Sequence, residues 1–352
     1  MLKAFLDDTG LNQKQFDLIF ELYDKIKTNS LHLKLVEQGI PLIEKQDYKA
    51  LFILFDLGFK EFGPIYPLVL IYCLYPYIVK LYNRLTIADS IRKSTLSDIA
   101  IWVNFYEDEH EGNTGLKQYI WIAHDLCAKV LRLERLQFEQ NFFKFPYSIY
   151  YDTKLLRYRT FAQEGLLCTD DGYISNGSNP SLGSWTTTNS VKDDYLLAHE
   201  INQELGCISQ EVNSVPISDL KLICTKGSPF LSVHIPSGEP LTPSLVDKSF
   251  SLALKIYNPS LFVSETWLLD PELMKVLPSD SNICNFMQRF FKFPIPLDIP
   301  QIYERVFGFG TTESDVLAWK CTNNLQKKVQ QHIKNGGVFR TMGGYIPVSI
   351  KL

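Results

Sequence analysis

Between Asn12 and about Lys129 apolar residues recur at steps of three and four, and Phe16, Ile19, Phe20, Tyr23 and Ile26 fall on one face of a helix. The segments 48–55, 62–81 and 96–106 repeat the pattern, the last after a Ser94 or Ser97 cap, with breaks at Gly39-Ile40-Pro41 and 58–63. The spacing predicts a helical first third. Segment 62–81 is nearly long enough to cross a bilayer, but Pro64, Pro67 and Pro76 interrupt it and Lys60, Glu61 and Lys80 frame it, so a buried helix is expected. Near Cys127 the period changes to two. Leu131, Leu133, Arg135, Gln137 and Glu139 alternate with Arg132, Glu134, Leu136 and Phe138, as along an extended strand.

Strands are expected at 148–151, 155–161, 220–224 and 230–235, with Lys226-Gly227 as a hairpin turn between the last two. The Gly-, Ser- and Asn-rich segment 170–185 reads as a loop. Beyond it the pattern predicts a helix at 245–257, a strand at 261–268, a short helix at 271–277, a strand at 301–307 and a long helix at 314–335 stopped by Gly336-Gly337. His124-Asp125 and His199-Glu200 fall on expected helices.

Residues 229–254 run strand, tight turn, helix. In this order Ser237-Gly238 and the Thr242-Pro243 helix start aim backbone N–H groups and the positive end of a helix dipole at one point, where a phosphate or carboxylate fits. The plainer alternative is that Thr242 caps its helix, with Pro243 in the first position, and no ligand is involved.

Composition narrows the picture. The chain has 352 residues, 45% hydrophobic and 21% charged, enough for two globular domains. A net charge of -4 argues against a general nucleic-acid binder. Seven cysteines without CxxC or zinc spacing read as free thiols of a reducing compartment, and with no secretory signal visible a cytoplasmic protein without a bound metal is expected. There is no Walker loop, no GxGxxG after a strand and no HExxH.

His234, at a strand end before the turn, is a candidate general base or a structural histidine. Ser237 suits binding through its hydroxyl or backbone better than nucleophilic attack. Glu265 and Trp267, two apart on the next strand, share a face and could act as base and ligand wall; alternatively Glu265 pairs with Arg132 or Arg135 and Trp267 is core. Glu134 is a further candidate, with Arg132 and Arg135 on either side.

LRLERLQFE (131–139), VHIPSGEPLT (233–242), FVSETWLLDPEL (262–273) and SNICNFMQRF (281–290) together resemble a family of bacterial acyltransferase-like proteins. That family joins an N-terminal helical N-acyltransferase-associated domain to a GNAT-like C-terminal domain. The resemblance implies an α/β (α+β) fold: an all-helical domain at 1–127, then a domain at 128–352 with a central twisted mixed sheet flanked by helices. It also implies transfer from acyl-coenzyme A to a small amine. Ser237, Gly238 and Thr242 would hold the cofactor, Glu265 or His234 would take the proton, and Trp267, Glu134 and Arg135 would meet the substrate. The corresponding loop here, IPSGEPLTP, has one glycine and carries Glu239. A second reading therefore stands, in which the fold binds a small polar ligand such as a sugar without acyl transfer.

Overall fold

The computed structural model describes residues 2–175, 183–296 and 299–348, so positions 176–182 of the expected loop lie outside it. The chain forms two compact units. The first comprises residues 1–139, 235–239 and 248–253; the second comprises 140–234, 240–247 and 254–352.

In the first unit eight helices follow one another: α1 (Leu2–Thr9), α2 (Gln13–Ile26), α3 (Ser30–Lys45), α4 (Tyr48–Phe62), α5 (Tyr66–Arg84), α6 (Asp89–Leu96), α7 (Asp98–Glu109) and α8 (Tyr119–Leu126). Side chains cap their starts. Asn12 and Gln15 form a reciprocal capping box, and Asn29 and Asp47 accept from the first turns of α3 and α4. The apolar segment is α5, with Pro67 in its first turn, Pro76 inside and eleven described residues buried. No helix among the described residues is long and apolar enough to cross a membrane. Asp8 joins three helices, because its Oδ2 accepts from Arg92 Nε at 2.8 Å and from the Tyr75 hydroxyl at 2.7 Å.

The unit ends in a hairpin of β1 (Val130–Leu133) and the start of β2 (Leu136–Phe142), with Leu133 opposite Leu136. The alternation therefore belongs to two strands and not one. Glu134 makes the turn at φ 58°, a left-handed conformation that no glycine or asparagine announces in the sequence.

The second unit holds two sheets. One places β11 (Pro229–His234), β12 (Leu261–Thr266), β14 (Met342–Pro347) and β13 (Phe291–Pro294) side by side. It is mixed: β11 and β12 are parallel, while β14 runs antiparallel to both its neighbours. A parallel pair needs a crossover, here α9 (Pro243–Tyr257). The other sheet orders β10 (Leu220–Cys224), β3 (Tyr147–Asp152), β4 (Arg157–Ala162), β8 (Tyr195–Asn202) and β7 (Asn189–Lys192), with β9 (Cys207–Pro216) also on β8 and a small pair of β5 (Leu167–Cys168) and β6 (Trp185–Thr186) apart. Phe143, Phe145, Tyr147, Phe230, Phe293 and Tyr345 form one core with residues of both sheets. Buried hydroxyls are satisfied within it: Tyr147 donates to the Pro294 carbonyl at 2.6 Å, and Tyr345 meets Thr160 at 2.8 Å.

Several expectations change here. Lys226-Gly227 does not close a hairpin, because β10 and β11 belong to different sheets and the chain turns a corner between them. His199 and Glu200 lie on β8, where Glu200 takes Arg159 Nε at 2.9 Å. Segment 301–307 is α12 (Gln301–Phe307), burying Ile302, Tyr303 and Phe307 at helical spacing. The long helix is two, α13 (Glu313–Ala318) and α14 (Asn324–Lys334), separated where Trp319 turns extended and Asn323 caps a new start. Short α10 (Leu273–Val276) and α11 (Asn282–Met287) follow β12. All seven cysteines are free thiols.

Gly58 lies against the Tyr66 ring, where an added Cβ would sit 1.9 Å from a ring carbon. Tyr66 is fully buried and has no room to retreat. Gly58→Ala is expected to lower stability by about 1–3 kcal/mol through overpacking, read as an earlier denaturation midpoint; an unmoved midpoint would contradict this packing.

Candidate functional site

At the end of β11 the chain leaves His234, bends through 235–242 and enters α9. Ser237, Gly238, Glu239 and Pro240 are exposed while Leu241 is buried, so the bend is anchored at one end and open at its tip. Gly238 has φ 111°, and a Cβ built on it meets nothing within 4 Å. The positive φ requires glycine, and the space over it is clear. Thr242 is the N-cap by position with Pro243 next, but its side chain accepts no bond from the helix. The hydroxyl of Thr242 is thus not used on the first turn of α9.

Within the first unit the underside of this bend is held by Arg135. The β1–β2 turn is fixed by Ser249 of α9, whose Oγ accepts from the backbone N–H of Arg135 at 3.1 Å and of Leu136 at 3.3 Å. From there the Arg135 side chain, with only 4% of the residue exposed, donates through Nε to the Glu239 carbonyl at 2.6 Å. Its Nη1 is buried with no hydrogen-bond partner among the described residues. Burial pulls the guanidinium below its ordinary range, Arg132 adds to that pull, and Glu239 partly offsets it. A buried cation short of partners is costly to maintain, and an anion bound beside it would relieve the strain on both counts. Glu134, at the tip of the same turn, pairs with Lys248 at 2.6 Å.

The remaining sequence candidates lie in the second unit. Leu231 and Ser232 of β11 pair with Phe262 and Val263 of β12, and Ser264 Oγ donates to the Val233 carbonyl at 2.9 Å. Continuing that register sets His234 beside Glu265 at the carboxyl ends of two parallel strands, the edge where open α/β sheets place their ligands. Glu265 is paired with Lys144 at 2.9 Å, not with Arg132 or Arg135. Trp267 does not share its face. The strand ends at Thr266, whose hydroxyl accepts from the Leu268 N–H at 3.2 Å and turns residues 267–269 into a single 3-10 turn. The candidates thus form two groups, Arg135 with Glu134 and the Ser237-Gly238 bend in one unit, and His234 with Glu265 in the other.

Sequence reasoning missed two contributors. Ser249 gave no signal beyond its place on the buried Val246/Ser249/Ala253 face of α9. Asp270, just before the expected helix at 271–277, accepts from the Glu272 N–H at 3.0 Å and from the distant Arg340 N–H at 2.5 Å. Its burial pushes its pKa up to about 7. Among the described residues no group of three His, Cys, Asp or Glu could hold a metal ion.

Residues 130–346 match the family model described as GNAT-like C-terminal domain. No curated protein matches the chain. Solved structures similar to it include an acyltransferase in complex with decanoyl-CoA and teicoplanin, with TM-score 0.50 and 18% identity, covering 81% of this chain and 66% of that one. An acyltransferase mutant in complex with octanoyl-CoA gives TM-score 0.50 at 17% identity over 81% of this chain and 66% of that one. The chain thus spans just under two thirds of the length of these structures. At such identity the likeness is one of fold.

Because Ser249 satisfies two main-chain N–H groups, Ser249→Ala leaves both without their partner and is expected to cost about 1–3 kcal/mol. Urea denaturation checks this, and a loss under about 0.5 kcal/mol, the scale of a surface substitution, would remove Ser249 from the scaffold of the bend.

Proposed function

Because the chain belongs to the family of the GNAT-like C-terminal domain, we propose that it is an acyl-coenzyme A-dependent N-acyltransferase acting on a small amine. The observation that carries the proposal is the Arg135 guanidinium, buried under the 235–239 bend with one nitrogen unpartnered among the described residues. A pyrophosphate is the group that such a site lacks. In this reading residues 128–352 carry the transfer chemistry and residues 1–127 form a helical domain of their own.

The residues fit the cofactor. Clear space over Gly238 lets a phosphate approach the backbone closely; Ser237 is exposed, and the Thr242 hydroxyl accepts no bond from its helix. Arg135 supplies positive charge from below, which balances the exposed carboxylate of Glu239 on the same bend. Coenzyme A brings an activated acyl group as a thioester. His234 and Glu265, side by side by register, take the proton of the attacking amine directly or through water. Lys144 lies 2.9 Å from Glu265 and fixes the position of its side chain. Trp267 and Glu134 are proposed to contact the acceptor. The acyltransferases with octanoyl-CoA, decanoyl-CoA and teicoplanin support this reading through their fold.

Thermal-shift measurements with coenzyme A and its acyl thioesters should raise the melting temperature, since a ligand that prefers the native state stabilises it. Arg135→Gln is expected to weaken coenzyme A at least about tenfold, or 1.4 kcal/mol, and Gly238→Pro to weaken it by removing a donor. Glu265→Gln should lower turnover with cofactor affinity nearly unchanged. Absence of a shift with every thioester would contradict the function, and unchanged turnover in the Glu265 variant would remove that residue from the reaction.

A further inference from the structure

A second polar feature lies entirely within the second unit and needs no part of the acyl-transfer reading. A cleft of about 440 Å³ is lined by Asp171, Glu272, Lys275, His332, Gly337 and Arg340, among others. That volume is within the range of small-molecule sites. His332, in the last turn of α14, sets Nε2 at 2.8 Å from Glu272 Oε2, and Lys275 Nζ lies 2.6 Å from Glu272 Oε1. Gly337 is required for this, because a Cβ there would fall 2.1 Å from the same imidazole nitrogen. On another wall Arg340 is fixed twice. Its guanidinium carbon sits 3.8 Å from the centroid of the Tyr173 ring, and its Nη2 lies 2.7 Å from Asp171 Oδ2.

The hydrogen-bond inventory gives the cleft a sign. All four carboxylate oxygens are engaged: those of Glu272 by Lys275 and His332, and those of Asp171 by Arg340 and, at 2.6 Å, by the Thr169 hydroxyl. The unused capacity is on the donors. An ammonium offers three protons and a guanidinium five; Lys275 makes one side-chain bond, and Arg340 Nε has no partner among the described residues. The charges of Asp171, Glu272, Lys275 and Arg340 cancel, so the spare donors, and not a net charge, give the cleft its preference for an acceptor. Asp270 positions two of the walls from below through the N–H groups of Glu272 and Arg340.

We infer that this cleft is a binding site for a small oxyanion, a carboxylate- or phosphate-bearing molecule, held by the spare donors of Arg340 and Lys275 beside His332. The groups facing His332 are Glu272 and Lys275 from α10 and its approach, and Asp171 and Arg340 from the other lining segments.

The test follows the His332 imidazole resonance, assigned by its loss in His332→Gln, while succinate or inorganic phosphate is titrated into the full chain. A saturable shift is expected, at least tenfold weaker in Arg340→Gln, with Lys275→Gln as a milder second variant at an exposed position. The probe that binds more tightly identifies the ligand as carboxylate or phosphate. No saturable shift with either probe, or equal affinity in wild type and both variants, would overturn the site. Loss of coenzyme A binding alone would not touch it, because these probes and this resonance report on the cleft independently.

Discussion

The arrangement around the bend depends on one buried cation. Arg135 enters from a two-residue turn, is almost wholly removed from solvent, uses one nitrogen on the carbonyl of the bend and leaves another without a partner among the described residues. An arrangement of this kind persists only where the surroundings over-determine it. Ser249 provides part of that restraint by tying the turn through two main-chain bonds, and α9, which carries Ser249, is also the helix that the bend feeds. The charge and the open backbone over Gly238 are therefore set by the same short stretch of chain.

In the second unit the requirement is rigidity at a sheet edge. Two sheets share an aromatic core, and the close approach of β14 to Phe293 is possible because Gly343 has no side chain: a Cβ there would lie 2.0 Å from the ring. Tyr345 bonds to Thr160 and accepts from Gln203 at 2.8 Å, so a buried hydroxyl locks the two sheets in register. What this fixes is the position of His234 and Glu265 at the ends of β11 and β12, and of Asp270 just beyond. Residues suited to proton transfer and ligand binding thus sit on the ends of rigid elements, although the chain that links them is loop.

Much of this was legible in the sequence because it rests on local rules. Helical periodicity marked the first third, the prolines of α5 distinguished a buried helix from a membrane span, and the strand-turn-helix grammar of 229–254 located the bend. The turn at Glu134 is local, but no glycine or asparagine marks its left-handed conformation. Several failures come from a partner distant in sequence: β8 and β9 were missed because the polar His199-Glu200 pair has its partners on β4 and β9, and Asp270 is engaged by Arg340 as well as by the nearby Glu272. The cleft at His332 could not be read for the same reason: its walls come from positions 171, 272, 332 and 340.

The account turns on whether the Arg135 site grips a pyrophosphate, and calorimetric titration with coenzyme A against pantetheine, which lacks that group, addresses it most directly. Coenzyme A should bind in a one-to-one complex, while pantetheine should bind far more weakly. Equal affinity for the two would contradict the claim that a buried cation under an open bend is what this fold presents to its cofactor.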